Sequence, residues 1–347
     1  IRDSSTSRGL GDVYKRRGCN PEQWLDRPDI LEKDIVLMKK ARINTVTLGV
    51  FSWSVLEPEE DHYHFQWLID TINRLYENGI QVILATPSGA RPRWLAEKYP
   101  EVLRVREDRV RYHYGERHNH CYTSPVYREK VRKINRKLAE TFRNHPAVIM
   151  WHISNEYRDE CHCPLCQKAF RVWLKKKYHT IDALNHAWWT TFWSHTYNSF
   201  DQIESPSSIG DKGLHGLNLD WKRFVTEQTT DFMCHEITAL RDAGAMQPTV
   251  VNFMDDYKGL NYYRLAQHVD YISWDSYPAW HKDSDIHTAY DTAFQHDLMR
   301  SMKQQPFLLM ESCPASPNWQ KVSKAKHPGL LMNASLQAIA HLSLIHI

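Results

Sequence analysis

Short apolar runs recur along the chain, and stretches with a helical pattern separate them. Each run is short enough to be a buried strand of a sheet. Six strands are predicted in this way, at residues 44–50, 81–86, 147–153, 249–254, 270–274 and 306–310. Short strands that alternate with helices are typical of repeated βα units around a parallel sheet.

The helical stretches carry their apolar residues on one face. In two of them the apolar positions recur three or four residues apart: Phe65, Leu68, Ile69, Ile72 and Tyr76 in one, and Leu31, Ile35 and Met38 in the other. This spacing is typical of a helix that packs on a sheet. Asn78 and Gly79 follow the first stripe, and a glycine in this place predicts the end of the helix.

Most predicted strands end in a polar or aromatic cluster, at residues 51–53, 86–88, 155–156, 252–254, 275–277 and 311–312. In a (β/α)8 barrel, the carboxyl ends of the strands form the active face. The pattern therefore favours an α/β fold of the TIM-barrel type. A doubly wound open sheet is the alternative, but no Gly-rich phosphate loop follows the early strands to support it.

Two of the strand ends carry an acid in apolar surroundings, Glu156 and Glu311. A retaining glycosidase uses two carboxyl groups about 5–5.5 Å apart, one as the nucleophile and the other as the acid and then the base. Barrel closure would bring both acids to one mouth. A structural role as a salt-bridge partner or a cap is the alternative for each. Asn155 favours a site, because an amide beside the acid can bind a sugar hydroxyl near the reacting carbon.

Composition is that of a soluble globular protein with a sizeable core. Of 347 residues, 42% are apolar and 24% are charged, and 44 Lys and Arg stand against 41 Asp and Glu. The interspersed charges give no indication of a nucleic-acid or membrane partner, and no apolar stretch is long enough to span a bilayer. We expect a cytoplasmic protein. The chain has 13 Trp and 17 Tyr. Such residues often line sugar-binding sites, although many of them are expected to lie in the core.

A cysteine cluster follows the first acid. Cys161, Cys163 and Cys166 lie within six residues, and Cys121 comes earlier in the chain. Four thiolates suit a closed, structural zinc site. His120 or His162 could replace one ligand, and three reduced surface thiols are the other alternative. The remaining cysteines, Cys19, Cys234 and Cys313, are expected to be small core residues.

Several segments together are similar to glycoside hydrolase family 42, the β-galactosidases: "GVFSWSVLEPEE", "ATPSGARPRWLAEKYPEVLRV", "SPVYREKV", "WHISNEY", "AWWTTFWS", "LDWKRFV" and "LLMESCPASPNWQ". The resemblance implies a TIM barrel whose fourth strand carries the acid/base, at Glu156, and whose seventh carries the nucleophile, at Glu311. It also implies substrate contacts around a galactosyl unit from Arg117, Asn155, Trp193, Tyr277 and Trp319. It supports structural zinc at Cys121, Cys161, Cys163 and Cys166, and it implies a homotrimer for the parent protein.

The two ends fall outside the resemblance. Residues 1–16 and 342–347 are expected to be a non-native leader and tail, with the barrel domain at 17–341. We expect the barrel to be incomplete at its C-terminus, with strand eight missing. An unclosed barrel would expose two sheet edges, so poor activity or insolubility is expected of this chain.

Two classes of function remain open from the sequence. The first is a retaining glycosidase that cleaves terminal β-D-galactosides, or a related β-glucosidase or arabinosidase that differs only in its hydroxyl contacts. The second is a non-catalytic, zinc-stabilised scaffold or carbohydrate-binding barrel in which both acids are structural. Covalent labelling of Glu311 by a fluorinated galactosyl donor separates the two classes.

Overall fold

The protein is described from a computed structural model that covers residues 14–18, 20–210, 213–278, 280, 284–312, 325–343 and 345–346. Eight strands form one sheet: β1 Tyr14–Gly18, β2 Thr45–Leu48, β3 Gln81–Ala85, β4 Val148–His152, β5 Thr249–Phe253, β6 Tyr271–Ser276, β7 Leu308–Ser312 and β8 Ile345–His346. Strands β2 to β7 correspond to the six predicted runs, and their ends differ from the predicted ends by two residues or fewer.

All neighbouring strands are parallel, in the order β7-β6-β5-β4-β3-β2-β1-β8. The predicted TIM-barrel class is confirmed. The eighth position holds only the two-residue β8, which pairs with Tyr14 and Lys15 of β1. One parallel bridge, between Phe307 and Ser343, links the other edge to the residues before β8. The barrel is therefore incomplete at its eighth position, as predicted, and two short contacts stand where a full strand would lie.

The helices of the described residues surround the sheet. They are α1 Pro28–Lys40, α2 Trp53–Leu56, α3 Gln66–Glu77, α4 Arg93–Lys98, α5 Pro125–Phe142, α6 Pro164–Tyr178, α7 Ile181–Trp188, α8 His215–Asp242, α9 Tyr262–Ala266, α10 Asp285–Lys303 and α11 Leu330–Ala340. Helix α3 buries Leu68 and Ile72 of the predicted stripe and ends at Glu77, two residues before Gly79, whose φ is 74°. Tyr76 was wrongly placed on the buried face. It is 46% exposed, because Leu75 takes the core position of that turn.

Two layers of apolar side chains fill the molecule. A small inner cluster contains Ile83, Val250, Leu308 and Met310, which come from alternating positions on β3, β5 and β7. A much larger cluster lies between the strands and the helices. Burial on both faces explains why these strands have continuous apolar sequences, as parallel sheets do.

The described residues include no helix that is both long and apolar enough to cross a membrane. Residues 14–16, which the sequence analysis assigned to a leader, lie in β1. Of the isolated cysteines, Cys234 is half-buried, which is more exposed than the predicted core position. Cys19 and Cys313 lie outside the described residues.

Candidate active site

A strained turn presents Glu156 at the end of β4. Ser154 and Glu156 have φ values of 54° and 40°, in the left-handed region that residues other than glycine rarely adopt. Two side chains from neighbouring strand ends hold the turn. The hydroxyl of Thr86 accepts a hydrogen bond from the backbone N–H of Ser154 at 2.7 Å, and Oδ1 of Asn252 accepts one from the N–H of Glu156 at 2.9 Å.

Three carboxyl groups meet at the carboxyl ends of the strands. One carboxylate oxygen from each of Glu156, Asp275 and Glu311 lies within 4.8 Å of one from each of the others. Asp275 and Glu311 are register partners on β6 and β7, which explains their approach. Oxygens of Glu156 and Glu311 within this distance are compatible with the separation of about 5–5.5 Å between the carboxyl groups of retaining glycosidases.

One guanidinium group and one side-chain amide contact the carboxylate of Glu156. Nη2 of Arg117 lies 2.8 Å from Oε2 of the carboxylate, and Nδ2 of Asn155 donates to the same oxygen at 3.3 Å. The guanidinium also lies over the ring of Phe51, 5.3 Å from its centroid. Sequence reasoning placed Arg117 and Asn155 beside the acid, and the structure brings all three together.

Asp275 is a site residue that the sequence analysis missed. It is 5% exposed, and Nδ2 of Asn252 donates to its Oδ2 at 2.7 Å. The same Nδ2 donates to Oδ1 of Asn155 at 3.1 Å, so Asn252 connects three strand ends. Burial, followed by the like charges of Glu311 and Glu156, raises the pKa of Asp275 well above its ordinary value. The sequence contained a signal for this residue, because Asp275 is a third acid at a predicted strand end.

Tyr277 follows β6 and donates a hydrogen bond from its hydroxyl to Oε2 of Glu311. Burial and then the charge of Glu311 raise the pKa of Tyr277 well above its ordinary value. The phenol is therefore kept protonated, which it must be in order to donate.

Of the two predicted stacking residues, the structure describes Trp193. Trp193 is 76% exposed and stacks on Phe192, with ring centroids 4.9 Å apart. The alternative of a core tryptophan is therefore wrong. Trp319 lies outside the described residues.

Two cavities lie next to this group. One has a volume of about 680 Å³ and is lined by Glu156, Asp275 and Tyr277 together with residues of β6, of α10 and of the segment after β5. The other, of about 690 Å³, is lined by Arg117 and further polar side chains. Both volumes are in the range of small-molecule sites. The ion pair of Arg117 and Glu156 links the linings of the two cavities.

The four cysteines form one buried cluster beside this site. The Sγ atom of Cys121 lies 3.6 Å from that of Cys163 and 3.5 Å from that of Cys166, and the last two are 3.7 Å apart. Cys161 completes the group, whose sulfurs all lie within 4.8 Å of one another. Four thiolates around a tetrahedral zinc at about 2.3 Å would be about 3.8 Å apart, so the group has room for a metal ion.

The two histidines considered as ligands have other neighbours. The ring of His120 packs on that of Tyr127, with centroids 4.4 Å apart. Nδ1 of His162 is 2.8 Å from the hydroxyl of Ser205, and its Nε2 is 3.4 Å from a carboxylate oxygen of Glu160. The thiol set is therefore the better ligand set.

A parallel barrel that carries paired carboxylates at the carboxyl ends of β4 and β7 has the arrangement of a barrel glycoside hydrolase. A sequence profile described as Glyco_hydro_42, beta-galactosidase, matches residues 19–343. The chain belongs to this family, as the resemblance implied.

Several named beta-galactosidases are similar to this chain in sequence or structure. Beta-galactosidase BglY of Alicyclobacillus acidocaldarius is 60% identical over 93% of this chain and 47% of its own length. GanA of Bacillus subtilis is 58% identical over 93% of this chain and 49% of its own length. The solved beta-galactosidase from Rahnella sp. R3 superposes with a TM-score of 0.94 at 55% identity, over 96% of this chain and 50% of that one. The chain thus spans about half the length of the relatives it matches.

Proposed function

We propose that this chain carries the catalytic site of a retaining glycoside hydrolase that cleaves terminal β-D-galactosides. The observation that carries the proposal is the approach of Glu156 and Glu311 at the barrel mouth, with oxygens within 4.8 Å of each other. Inversion requires a water between the general base and the anomeric carbon and therefore a separation of about 6.5–9.5 Å between the carboxyl groups. The shorter approach suits direct attack by one carboxylate and a covalent intermediate. The names of the relatives support a galactoside as the substrate.

The roles proposed for the two acids are those that the family resemblance implies. Glu311 attacks the anomeric carbon while Glu156 protonates the departing oxygen, and a galactosyl-enzyme forms with inverted configuration. Glu156 then removes a proton from water, which attacks the same carbon and restores the configuration. The hydrogen bond from Tyr277 orients the carboxylate of Glu311 for attack and supports this assignment.

Arg117 and Asn155 are proposed to bind sugar hydroxyls. Both contact Glu156 directly, so a sugar that reaches the acid also reaches these donors. Trp319 and Trp193 remain predicted stacking partners of the sugar. Trp193 is exposed enough to contact a ligand or a second subunit, and a homotrimer is proposed for the full-length protein from the family resemblance.

The cysteine cluster is proposed to hold structural zinc through Cys121, Cys161, Cys163 and Cys166. Four thiolates fill the tetrahedral coordination and leave no position for a reacting water, so zinc would supply stability and no chemistry. Reduced thiols in such a site fit a cytoplasmic location, which we also propose.

The test uses covalent trapping. A 2-fluoro galactosyl fluoride should label the protein once, and the labelled peptide should contain Glu311. The Glu311→Gln variant should lose both labelling and hydrolysis of nitrophenyl galactoside. The Glu156→Gln variant should lose most turnover and recover part of it with azide, which needs no general base. A Glu311→Gln protein of parental activity would overturn the assignment of Glu311 as the nucleophile. A parent protein that binds galactosides but is neither labelled nor able to hydrolyse them would favour the non-catalytic, sugar-binding alternative.

A further inference from the structure

A buried carboxylate lies behind the catalytic turn, on a helix of the outer layer. Glu236 of α8 is fully buried. Its Oε1 accepts hydrogen bonds from the hydroxyls of Ser88 at 2.7 Å and Tyr157 at 2.8 Å. Its Oε2 accepts from the hydroxyl of Thr86 at 2.9 Å and from Nδ2 of Asn135 at 3.1 Å. Four donors therefore converge on one carboxylate.

Two of these donors flank the turn that carries Glu156. The hydroxyl of Thr86 donates to Glu236 and accepts from the N–H of Ser154, so the carboxylate fixes the orientation of the hydroxyl that holds the start of the turn. Tyr157 is the residue directly after Glu156, and its hydroxyl is held by the other carboxylate oxygen. The left-handed residues of the turn thus lie between two points attached to the same side chain.

Such a turn needs support, because left-handed backbone at residues other than glycine costs on the order of 1–3 kcal/mol each and persists only where its surroundings enforce it. We infer that Glu236 is a positioning residue for the acid/base, one that holds the turn at residues 154–157 so that Glu156 and Asn155 face the sugar. The inference rests on the proposed function. Glu236 touches no substrate in this arrangement and acts through Thr86 and Tyr157.

A purely structural role is the competing explanation, and the same helix offers a control. Asp220, also on α8, is 1% exposed and accepts hydrogen bonds from Tyr178 at 2.6 Å, Trp188 at 3.0 Å and Arg223 at 2.9 Å. It lies 16 residues before Glu236, about 24 Å along a helix. Loss of its charge should destabilise the fold without moving the turn.

The effect of a misplaced Glu156 on the rate depends on the leaving group of the substrate. General acid catalysis contributes about 10²- to 10⁴-fold in rate, but a leaving group that departs readily as an anion does not need the proton. A misplaced Glu156 should therefore slow a galactoside with a poor leaving group and spare one with a good leaving group. Simple loss of folded enzyme lowers both rates by the same factor.

The full chain is compared with its Glu236→Gln and Asp220→Asn variants on methyl β-galactoside and on dinitrophenyl β-galactoside. Gln keeps the volume of the side chain but replaces one acceptor oxygen by a donor. The hydroxyl of Ser88 lies within hydrogen-bond distance of both oxygens, so the amide group deprives either Tyr157 or both Thr86 and Asn135 of their acceptor. For Glu236→Gln, kcat/KM should fall by about tenfold or more on the methyl glycoside and by less than about threefold on the dinitrophenyl glycoside. Asp220→Asn should leave the ratio of the two unchanged. Equal losses on both substrates in Glu236→Gln would overturn the inference.

A second variant and a second measurement keep the result decisive. Thr86→Val removes the hydroxyl that connects Glu236 to the turn. It should show the same dependence on the leaving group, and it serves as the test if Glu236→Gln does not fold. Crystal structures should show Glu156 displaced in Glu236→Gln and unmoved in Asp220→Asn, and an unmoved Glu156 would contradict the inference. These structures remain informative if the parent chain hydrolyses neither substrate, a result that would count against the proposed function alone.

Discussion

At the residue scale, the site brings three acids together. Arg117 contacts Glu156, while Asn252 and Tyr277 supply neutral donors to Asp275 and Glu311. Like charges at this distance oppose the ionisation of one another. Burial and then the charges of Glu311 and Glu156 raise the pKa of Asp275 well above its ordinary value, which favours its neutral form.

The raised pKa of Asp275 predicts how stability changes with pH. The native state holds the proton more tightly than the unfolded state, where the ordinary value is 3.8. Stability contributed by the neutral acid is therefore present below about pH 4 and is lost progressively as pH rises toward the native pKa. Asp275→Asn cannot ionise, so its melting temperature relative to the parent should rise between pH 4 and pH 8.

Thermal unfolding at several pH values measures this difference. The groups that face Asp275 are Glu156, Glu311, Tyr277, Tyr262 and Asn252, and the variant leaves all of them in place. The exposed Asp201 provides the control, because Asp201→Asn should show no such trend. A constant difference between Asp275→Asn and the parent across this range would contradict the assignment.

Tyr277 gives a second prediction at this scale. Tyr277→Phe removes the hydrogen bond to Glu311 and keeps the ring. Because a hydrogen bond to a charged group contributes about 1.5–3 kcal/mol, kcat/KM on nitrophenyl galactoside should fall by about 10- to 100-fold. Steady-state kinetics measure this loss. Tyr290 is exposed on α10, and Tyr290→Phe should keep the parental rate.

At the scale of elements, the sequence predicted the strands and the approach of Glu156 and Glu311 at their ends, but it did not predict the conformation of the turn after β4. Apolar runs and their polar ends are local signals, so β4 and Glu156 could be read from a few adjacent residues. The left-handed conformation of Ser154 and Glu156 has no local signal, because no glycine marks it. It depends on Thr86 and Asn252, which are distant in sequence and meet the turn only in the folded barrel.

The cysteine cluster joins two loops, one that leads from Arg117 to α5 and one that leads from Glu156 to α6. Cys163→Ser should therefore loosen both loops. We expect loss of bound zinc and a melting temperature lower by on the order of 5 °C, because metal binding contributes directly to folding. Metal content by native mass spectrometry and thermal unfolding test this. Cys234→Ser lies outside the cluster and should retain metal. A parent protein purified without any metal would refute the zinc assignment.

Glu60 joins the loop after α2 to α4 and α5. Lys130 lies 2.5 Å and Lys98 lies 2.9 Å from its two carboxylate oxygens. These hydrogen bonds, that of Lys130 being the largest cause, lower the pKa of Glu60 to about 2. Stability from this acid is fully present above its ordinary value of 4.5 and is lost as pH falls toward about 2.

Glu60→Gln should accordingly reduce the free energy of unfolding at pH 7 by about 2 kcal/mol, since hydrogen bonds to charged groups contribute on the order of 1.5–3 kcal/mol. The difference from the parent should shrink between pH 4.5 and pH 2. Urea unfolding at both ends of this range measures it. The neighbouring Glu59 has an 81% exposed side chain, and Glu59→Gln should have little effect at either pH.

At the scale of the whole molecule, the barrel and its paired acids were predictable because strand ends of a parallel barrel converge on one face. Asp275 and Glu236 were not identified, for different reasons. Asp275 carried the same strand-end signal as the two catalytic acids and was passed over. Glu236 is a polar residue in a long helix, where an acid usually faces solvent, and only the packing of α8 against α5 and the turn shows that it is buried.

Closure of the barrel gives the last prediction. Strand β8 is two residues long, yet it pairs with β1 and, with the bridge from Phe307 to Ser343, covers both edges of the sheet. Unpaired edges of parallel strands associate with other chains. Replacing Ile345 and His346 of β8 by Gly-Ser lowers strand propensity and keeps the length, so it should lower the melting temperature by about 2–4 °C and speed aggregation. Replacement of the same two residues by Thr-Val keeps strand propensity and should preserve both properties. Light scattering during a thermal ramp compares the three proteins, and equal aggregation in all of them would mean that β8 does not protect the sheet.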